Sequence, residues 1–254
     1  MKLHFREYGT GNAVIILHGL FGSLDNWHSI SVKLSPMFRV YAVDLRNHGK
    51  SPHNPEMSYS LMADDMKEFV SSAGLERVSL LGHSIGGKVV IQFSLTYPNL
   101  VKKLVVADIA PRAYRPHHEY IFRALLSLDL AAYTARKQIE AALAPEIPDL
   151  ALRQFLLKNV TRNANGAFEW QLDLPALHEN YAKLLAALPV DRTCDRPALF
   201  VRGEKSDYIQ SQDEPLIYRL FPRAKIRTLA NAGHWLHADV PETFVRIVQE
   251  FLRE

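Results

Sequence analysis

The chain contains one cysteine, Cys194, in 254 residues. That excludes an internal disulfide and any zinc cluster built on cysteines, and it suits a reducing compartment with Cys194 as a free core thiol. Long hydrophobic runs are also missing. None approaches the roughly 20 residues of a transmembrane helix, so membrane insertion is not expected. Charge of one sign is scarce too: 30 Lys and Arg against 27 Asp and Glu leave a formal charge of +3. Without a basic run, neither nucleic acid nor an acidic membrane surface is an expected partner. Residues Met1-Lys2-Leu3-His4-Phe5-Arg6-Glu7 carry charge where a signal peptide needs an apolar core, which leads to the expectation of a cytoplasmic protein. The length and the 48% hydrophobic content fit one large domain with a substantial core.

The most informative stretch is Val78-Ser79-Leu80-Leu81-Gly82-His83-Ser84-Ile85-Gly86-Gly87. A short apolar run enters Gly-x-Ser-x-Gly, and Lys88–Leu95 continues with helix character, which is the context in which a serine is presented at the top of a sheet. Glycine is needed at Gly82 and Gly86 because a Cβ there meets the neighbouring strand or helix. The competing reading is a Gly-rich turn with an incidental serine. The flanking strand and helix argue against it.

Short apolar runs alternate with amphipathic stretches through the first half, the pattern of a doubly wound, mostly parallel sheet. Leu3–Tyr8, Ala13–Leu17, Phe38–Val43, Val78–Leu81 and Leu104–Ala107 read as strands, with Trp27–Leu34 and Leu61–Ala73 as helices and Ser58-Tyr59-Ser60 as a helix start. Strands end at His18-Gly19, Asp44, Gly82-His83-Ser84 and Asp108, on the edge where ligands bind in open parallel sheets. From Ala110 to about Pro197 strand signals vanish. Helix-period stretches follow at His117–Leu128, Leu130–Leu143, Asp149–Asn159 and Ala176–Leu188, with prolines between them. The expected organisation is an α/β core of residues 1–110 and 197–254 with a helical cap, 111–196, over the catalytic edge; a plain helical layer is the alternative. Strands resume at Ala198–Arg202 and Lys225–Leu229, and Glu242–Leu252 is the closing helix.

A serine hydroxyl needs a base to take its proton. Of eleven histidines, His234 is the candidate, because Ala230-Asn231-Ala232-Gly233-His234 follows the last strand and lies on the edge expected for Ser84. His237 is read as a structural, hydrogen-bonding residue. A tetrahedral oxyanion needs preorganised N–H donors. The backbone of Ile85, at a helix N-terminus, supplies one, and the turn His18-Gly19-Leu20-Phe21-Gly22-Ser23 supplies the other through Leu20, with Phe21 the near alternative. Asp44, Arg46, Asn47 and His48 are expected to fix their own loop. Phe122, Phe155, Trp170, Tyr181 and Trp235 are candidates for an acyl pocket, or simply core.

These motifs resemble the α/β-hydrolase-fold serine esterases, and within them the YbfF type of bacterial esterase and its mitochondrial relatives. The carriers are His18–Asn26, Val43–Ser51, Gly82–Lys88, Asp108-Ile109-Ala110-Pro111 and Gly233–His237. The resemblance implies the α/β-hydrolase fold and small ester or thioester substrates, while the serine mechanism itself needs neither metal nor cofactor. The resemblance also implies Asp108 as the acid that orients His234. Asp207 lies near the place most α/β-hydrolases use, although their usual spacing falls on Ser206; Asp239 reads as a helix-entry residue where the resemblance leads one to expect Glu. The expected enzyme is a carboxylesterase-type hydrolase with Ser84, Asp108 and His234 as its triad. A thioesterase, a lactonase or a C–C bond hydrolase shares that machinery, and a ligand receptor that keeps the pocket is the rival of another class. Oligomeric state is left open.

Overall fold

Runs such as Val14-Ile15-Ile16-Leu17 and Leu104-Val105-Val106 have no polar position to turn toward water, and the computed structural model buries them on both faces of one sheet. Residues 1–189 and 191–254 are described. In chain order the first half runs β1 Phe5–Tyr8, β2 Ala13–Leu17, α1 His28–Leu34, β3 Arg39–Val43, α2 Tyr59–Ser72, β4 Val78–His83, α3 Ile85–Thr96 and β5 Val101–Ala107. Next come α4 Glu119–Leu126, α5 Arg136–Leu143, α6 Leu150–Leu157, β6 Val160–Arg162, β7 Phe168–Trp170, α7 Leu174–Glu179 and α8 Tyr181–Leu185. The chain closes with β8 Ala198–Gly203, α9 Glu214–Leu220, β9 Ala224–Leu229, α10 Leu236–Asp239 and α11 Pro241–Arg253.

The seven-stranded sheet has the order β1-β3-β2-β4-β5-β8-β9, parallel throughout except for the antiparallel edge strand β1. Strand residues alternate between its faces. Ile15 and Leu17 join a cluster with α2 and α3, while Val14 and Ile16 join Ile30 of α1 and Phe244 and Val248 of α11. The register pairs Leu17 with Gly82, His83 with Ala107, and Ala107 with Val201. The carboxyl ends of β2, β4, β5 and β8 therefore lie side by side. That alignment brings the turns after them to one edge.

Between β5 and β8 the chain is not all helical, which corrects the sequence reading. β6 and β7 form an antiparallel hairpin around Asn163–Ala167, where Asn163 Oδ1 accepts the N–H groups of Asn165 and Ala167 and Gly166 takes φ +80°. The expected helix Leu130–Leu143 is broken, because Gln138 Oε1 accepts from Thr134 and Ala135 N–H and starts α5 afresh. Ala176–Leu188 is likewise split at Asn180, whose side chain donates to Pro55 and Ala176 carbonyls. Trp27 ends a 3₁₀ turn rather than opening α1. Apolar residues of this region, Leu125, Leu143, Leu156 and Leu177 among them, belong to the same cluster as Leu17 and Val89. Cys194 is a buried free thiol, and no helix among the described residues is long and apolar enough to cross a membrane.

Candidate active site

Ser84 links β4 to α3 with φ 52° and ψ −122°, a left-handed backbone that a non-glycine residue holds only under constraint. The constraint is packing. A Cβ on Gly82 would lie 2.2 Å from Gly86 O, and one on Gly86 would lie 2.5 Å from His18 O. The turn is closed by Ser84 N–H donating to Ala107 O at 3.1 Å. Asp108 has the same unusual φ, 52°, one residue beyond β5.

Asp108 is fully buried. Its Oδ1 accepts Gly203 N–H at 3.0 Å, and its Oδ2 accepts both the Ser206 hydroxyl and His234 Nδ1–H, the latter at 2.8 Å. The imidazole is thus held by a carboxylate that is itself held by β8 and the turn after it. Asp207 is exposed, and its carbonyl accepts from Arg112. Tyr208 stacks on the His234 ring at 3.8 Å between centroids, and His83 Nε2–H donates to the His234 carbonyl at 2.8 Å. Burial drives the pKa of His83 well below the ordinary range, so it stays a neutral donor. With Nδ1 on Asp108, the remaining ring nitrogen of His234 has no protein partner among the described residues.

His18 holds the turn after β2. Its Nδ1–H donates to Gly19 O at 2.8 Å and its Nε2 accepts Leu45 N–H at 3.0 Å, and burial lowers its pKa to about 4. Gly19 lies against Ser84; a Cβ there would be 3.2 Å from the serine Cβ. The backbone N–H groups of Leu20 and Ile85 donate to no protein acceptor among the described residues. Ile85 follows Ser84 directly, and Leu20 lines both cavities together with Ser84.

Two cavities meet at Ser84. The larger, about 530 Å³, is lined by His234, Trp235, Phe155 and the turn after β2; the second, about 360 Å³, is lined by Ile85, Lys88, Tyr181 and Tyr208. Leu20, Ser84 and His118 belong to both. Of the aromatic candidates, Phe155, Trp235 and Tyr181 line cavities. Phe122 is wholly buried beneath Phe21 and Tyr181, and Trp170 lies outside both linings. Asp44, Arg46, Asn47 and His48 secure one another's loop: Asp44 accepts Leu24 and Lys50 N–H, Arg46 pairs with buried Asp65 at 2.7 Å, Asn47 bonds Asn54 both ways, and His48 donates to Arg46 O.

Two expectations need correction. His237 is half-buried, and its buried Nδ1 has no partner; it works by stacking on Trp27 at 4.2 Å rather than by that hydrogen bond. Asp239 closes α10 and accepts Gly233 N–H at 2.8 Å instead of entering a helix. Sequence reasoning did not foresee Tyr208 and Lys88 as neighbours of the site, nor the bond from the Ser206 hydroxyl to Asp108. Lys88 left a signal, being the one charge in an apolar helix start.

The alpha/beta hydrolase fold model matches residues 12–241. The chain is 38% identical to the sn-1-specific diacylglycerol lipase ABHD11 of Danio rerio, over 98% of this chain and 81% of that protein. It is 32% identical to Esterase YbfF of Escherichia coli over the full length of both. A solved structure of a marine microorganism esterase superimposes with a TM-score of 0.96 at 44% identity, covering 98% of this chain and 99% of that one. With a mostly parallel sheet, a strained serine at the β4–α3 turn and relatives of this kind, the chain belongs to the α/β-hydrolase fold family and stands among its esterase-type hydrolases.

Proposed function

We propose that the chain cleaves small carboxylic esters, and acyl thioesters of similar size, through an acyl-enzyme on Ser84. The single observation that carries this reading is the hydrogen-bonded chain Ser206–Asp108–His234 beside Ser84 at the junction of two cavities. His234 takes the Ser84 proton as Oγ attacks the carbonyl carbon, and Asp108 stabilises the imidazolium that forms. The N–H groups of Leu20 and Ile85 receive the oxyanion, with the α3 dipole adding to Ile85. When the tetrahedral adduct collapses, His234 returns its proton to the leaving oxygen or sulfur. Water, deprotonated by the same ring, then releases the acid and restores Ser84.

This sequence assigns the two cavities. The leaving group must lie within reach of His234, which lines the larger cavity and not the smaller, so the alcohol side is the 530 Å³ cavity and the acyl side the 360 Å³ one. Residues 111–196 act as a cap that roofs both, since His118, Phe155 and Tyr181 come from it. A reducing, cytoplasmic setting suits the lone buried Cys194. The test is hydrolysis of p-nitrophenyl esters from acetate to long acyl chains by wild type and Ser84→Ala. Turnover that disappears in Ser84→Ala supports the reading, and turnover that survives there removes it.

A further inference from the structure

Lys88 is a charge with no counter-charge. Its side chain is 1% exposed, its Nζ donates to Ala186 O at 2.6 Å, and the rings of Tyr59 and Tyr114 lie 5.4 and 5.0 Å from it. No carboxylate pairs with it among the described residues; burial, helped by the nearby Arg112 guanidinium, pulls its pKa down to about 7. A neutral donor would satisfy Ala186 O equally well. Burial disfavours the charged form while no anion is beside it, and an anion bound in the cavity would restore the ammonium. An ammonium also has three N–H donors, and one is used.

The position of Lys88 says where that partner sits. It lines the acyl cavity with Ser84 and Ile85. The tyrosine hydroxyls there are already bonded: Tyr59 OH donates to Leu184 O, Tyr114 OH to Tyr208 O, Tyr208 OH bonds His117 Nε2 and Tyr181 OH bonds His118 Nδ1. Lys88 N–H also donates to Ser84 O at 3.1 Å. The two residues are therefore one helical turn apart on the same face, about 5–6 Å between Cβ atoms. Both side chains line one cavity of about 360 Å³, a size that admits a short acyl chain.

We propose that the acyl cavity selects acyl groups ending in a carboxylate, so that the substrates are half-esters of short dicarboxylic acids with the ester carbonyl at Ser84 and the distal carboxylate on the Lys88 ammonium. This rests on the ester-cleaving reading above and on its assignment of the smaller cavity to the acyl side. The bound carboxylate completes a buried ion pair that the free protein lacks. Chemistry at the ester carbonyl is unchanged, and the ion pair forms without a covalent step.

The test compares monomethyl glutarate with its neutral shape analogue methyl 5-methylhexanoate, and the succinate and adipate half-esters with theirs. The expected result is a kcat/KM about tenfold or more higher for the half-ester in at least one pair, with that ratio falling by about tenfold or more in both Lys88→Met and Lys88→Gln. Neutral esters cleaved as well as their half-ester partners by wild type would overturn the selection and leave the esterase reading standing. A preference that survives in either variant would overturn the role of Lys88. Turnover of neither class by wild type would remove the esterase reading and this inference together. The wild-type comparison needs no variant to fold.

Discussion

Ser206 and His234 donate to the same oxygen, Oδ2 of Asp108. Ser206 stands near the place where most α/β-hydrolases carry their acid, on the turn after β8, while the carboxylate comes from the neighbouring strand β5. The adjacency of β5 and β8 makes the exchange possible, because Ala107 and Val201 are paired in register. Removing the hydroxyl in Ser206→Ala takes a donor from a buried carboxylate without touching the serine or the histidine. A hydrogen bond to a charged group is worth about 1.5–3 kcal/mol, so kcat should fall by about ten- to a hundredfold with KM little changed. Unchanged kcat would show that the Gly203 N–H alone orients Asp108.

Asp108→Asn and Asp207→Asn separate the two aspartates. Asn at position 108 presents the wrong partner to His234 Nδ1–H, and a loss of about 10⁴ in kcat follows if the histidine is the base. Asp207 is exposed and meets Arg112 through its carbonyl, which the substitution keeps. Steady-state kinetics on one small ester should rank the variants in that order. The reverse ranking would move the acid to the turn after β8.

Packing at the elbow is testable through stability alone. Gly86→Ala places a Cβ 2.5 Å from His18 O and 2.6 Å from Leu17 O, both backbone atoms that cannot step aside. A loss of about 3 kcal/mol is expected. Gly74→Ala is the comparison, with φ +64° and nothing within 4 Å of the added carbon, so only the left-handed backbone penalty of about 1 kcal/mol remains. Denaturant melts that place the two variants together would contradict the packing account.

Acid should weaken the fold through its buried imidazoles. His18 is held neutral, with Nε2 accepting from Leu45, and its pKa is lowered to about 4, while burial takes His48 and His237 to about 3. Below about pH 6.5 the unfolded chain binds protons that these folded imidazoles refuse, so their contribution to stability falls as pH drops from about 6.5 toward 4 and is fully present above that window. For His18 alone the loss is on the order of 3 kcal/mol. Denaturant midpoints at pH 7.5, 6 and 5 should decline steadily; a flat profile would contradict the burial of neutral imidazoles.

Much of this arrangement is legible in the chain. The apolar runs ending at Ser84 and Asp108 locate both residues because β-branched runs that close on polar residues mark strand ends, and the loop after the last strand locates His234. What is not legible is reach. Which aspartate meets the imidazole depends on strand order, and β5 neighbours β8 only in three dimensions. The hairpin at Val160–Trp170 is missed because strands of three residues carry too little alternation, although Asn165-Gly166 marks its turn. Tyr208 and Lys88 act through stacking and burial, which spacing does not encode.

Ser84 is expected to act as a nucleophile activated by His234. The most direct measurement is labelling with a fluorophosphonate, with the adduct located by peptide mass spectrometry in wild type, Ser84→Ala and His234→Ala. One adduct is expected, on Ser84, absent in Ser84→Ala and formed far more slowly in His234→Ala. No adduct on Ser84, or labelling at the same rate without His234, would contradict that activation.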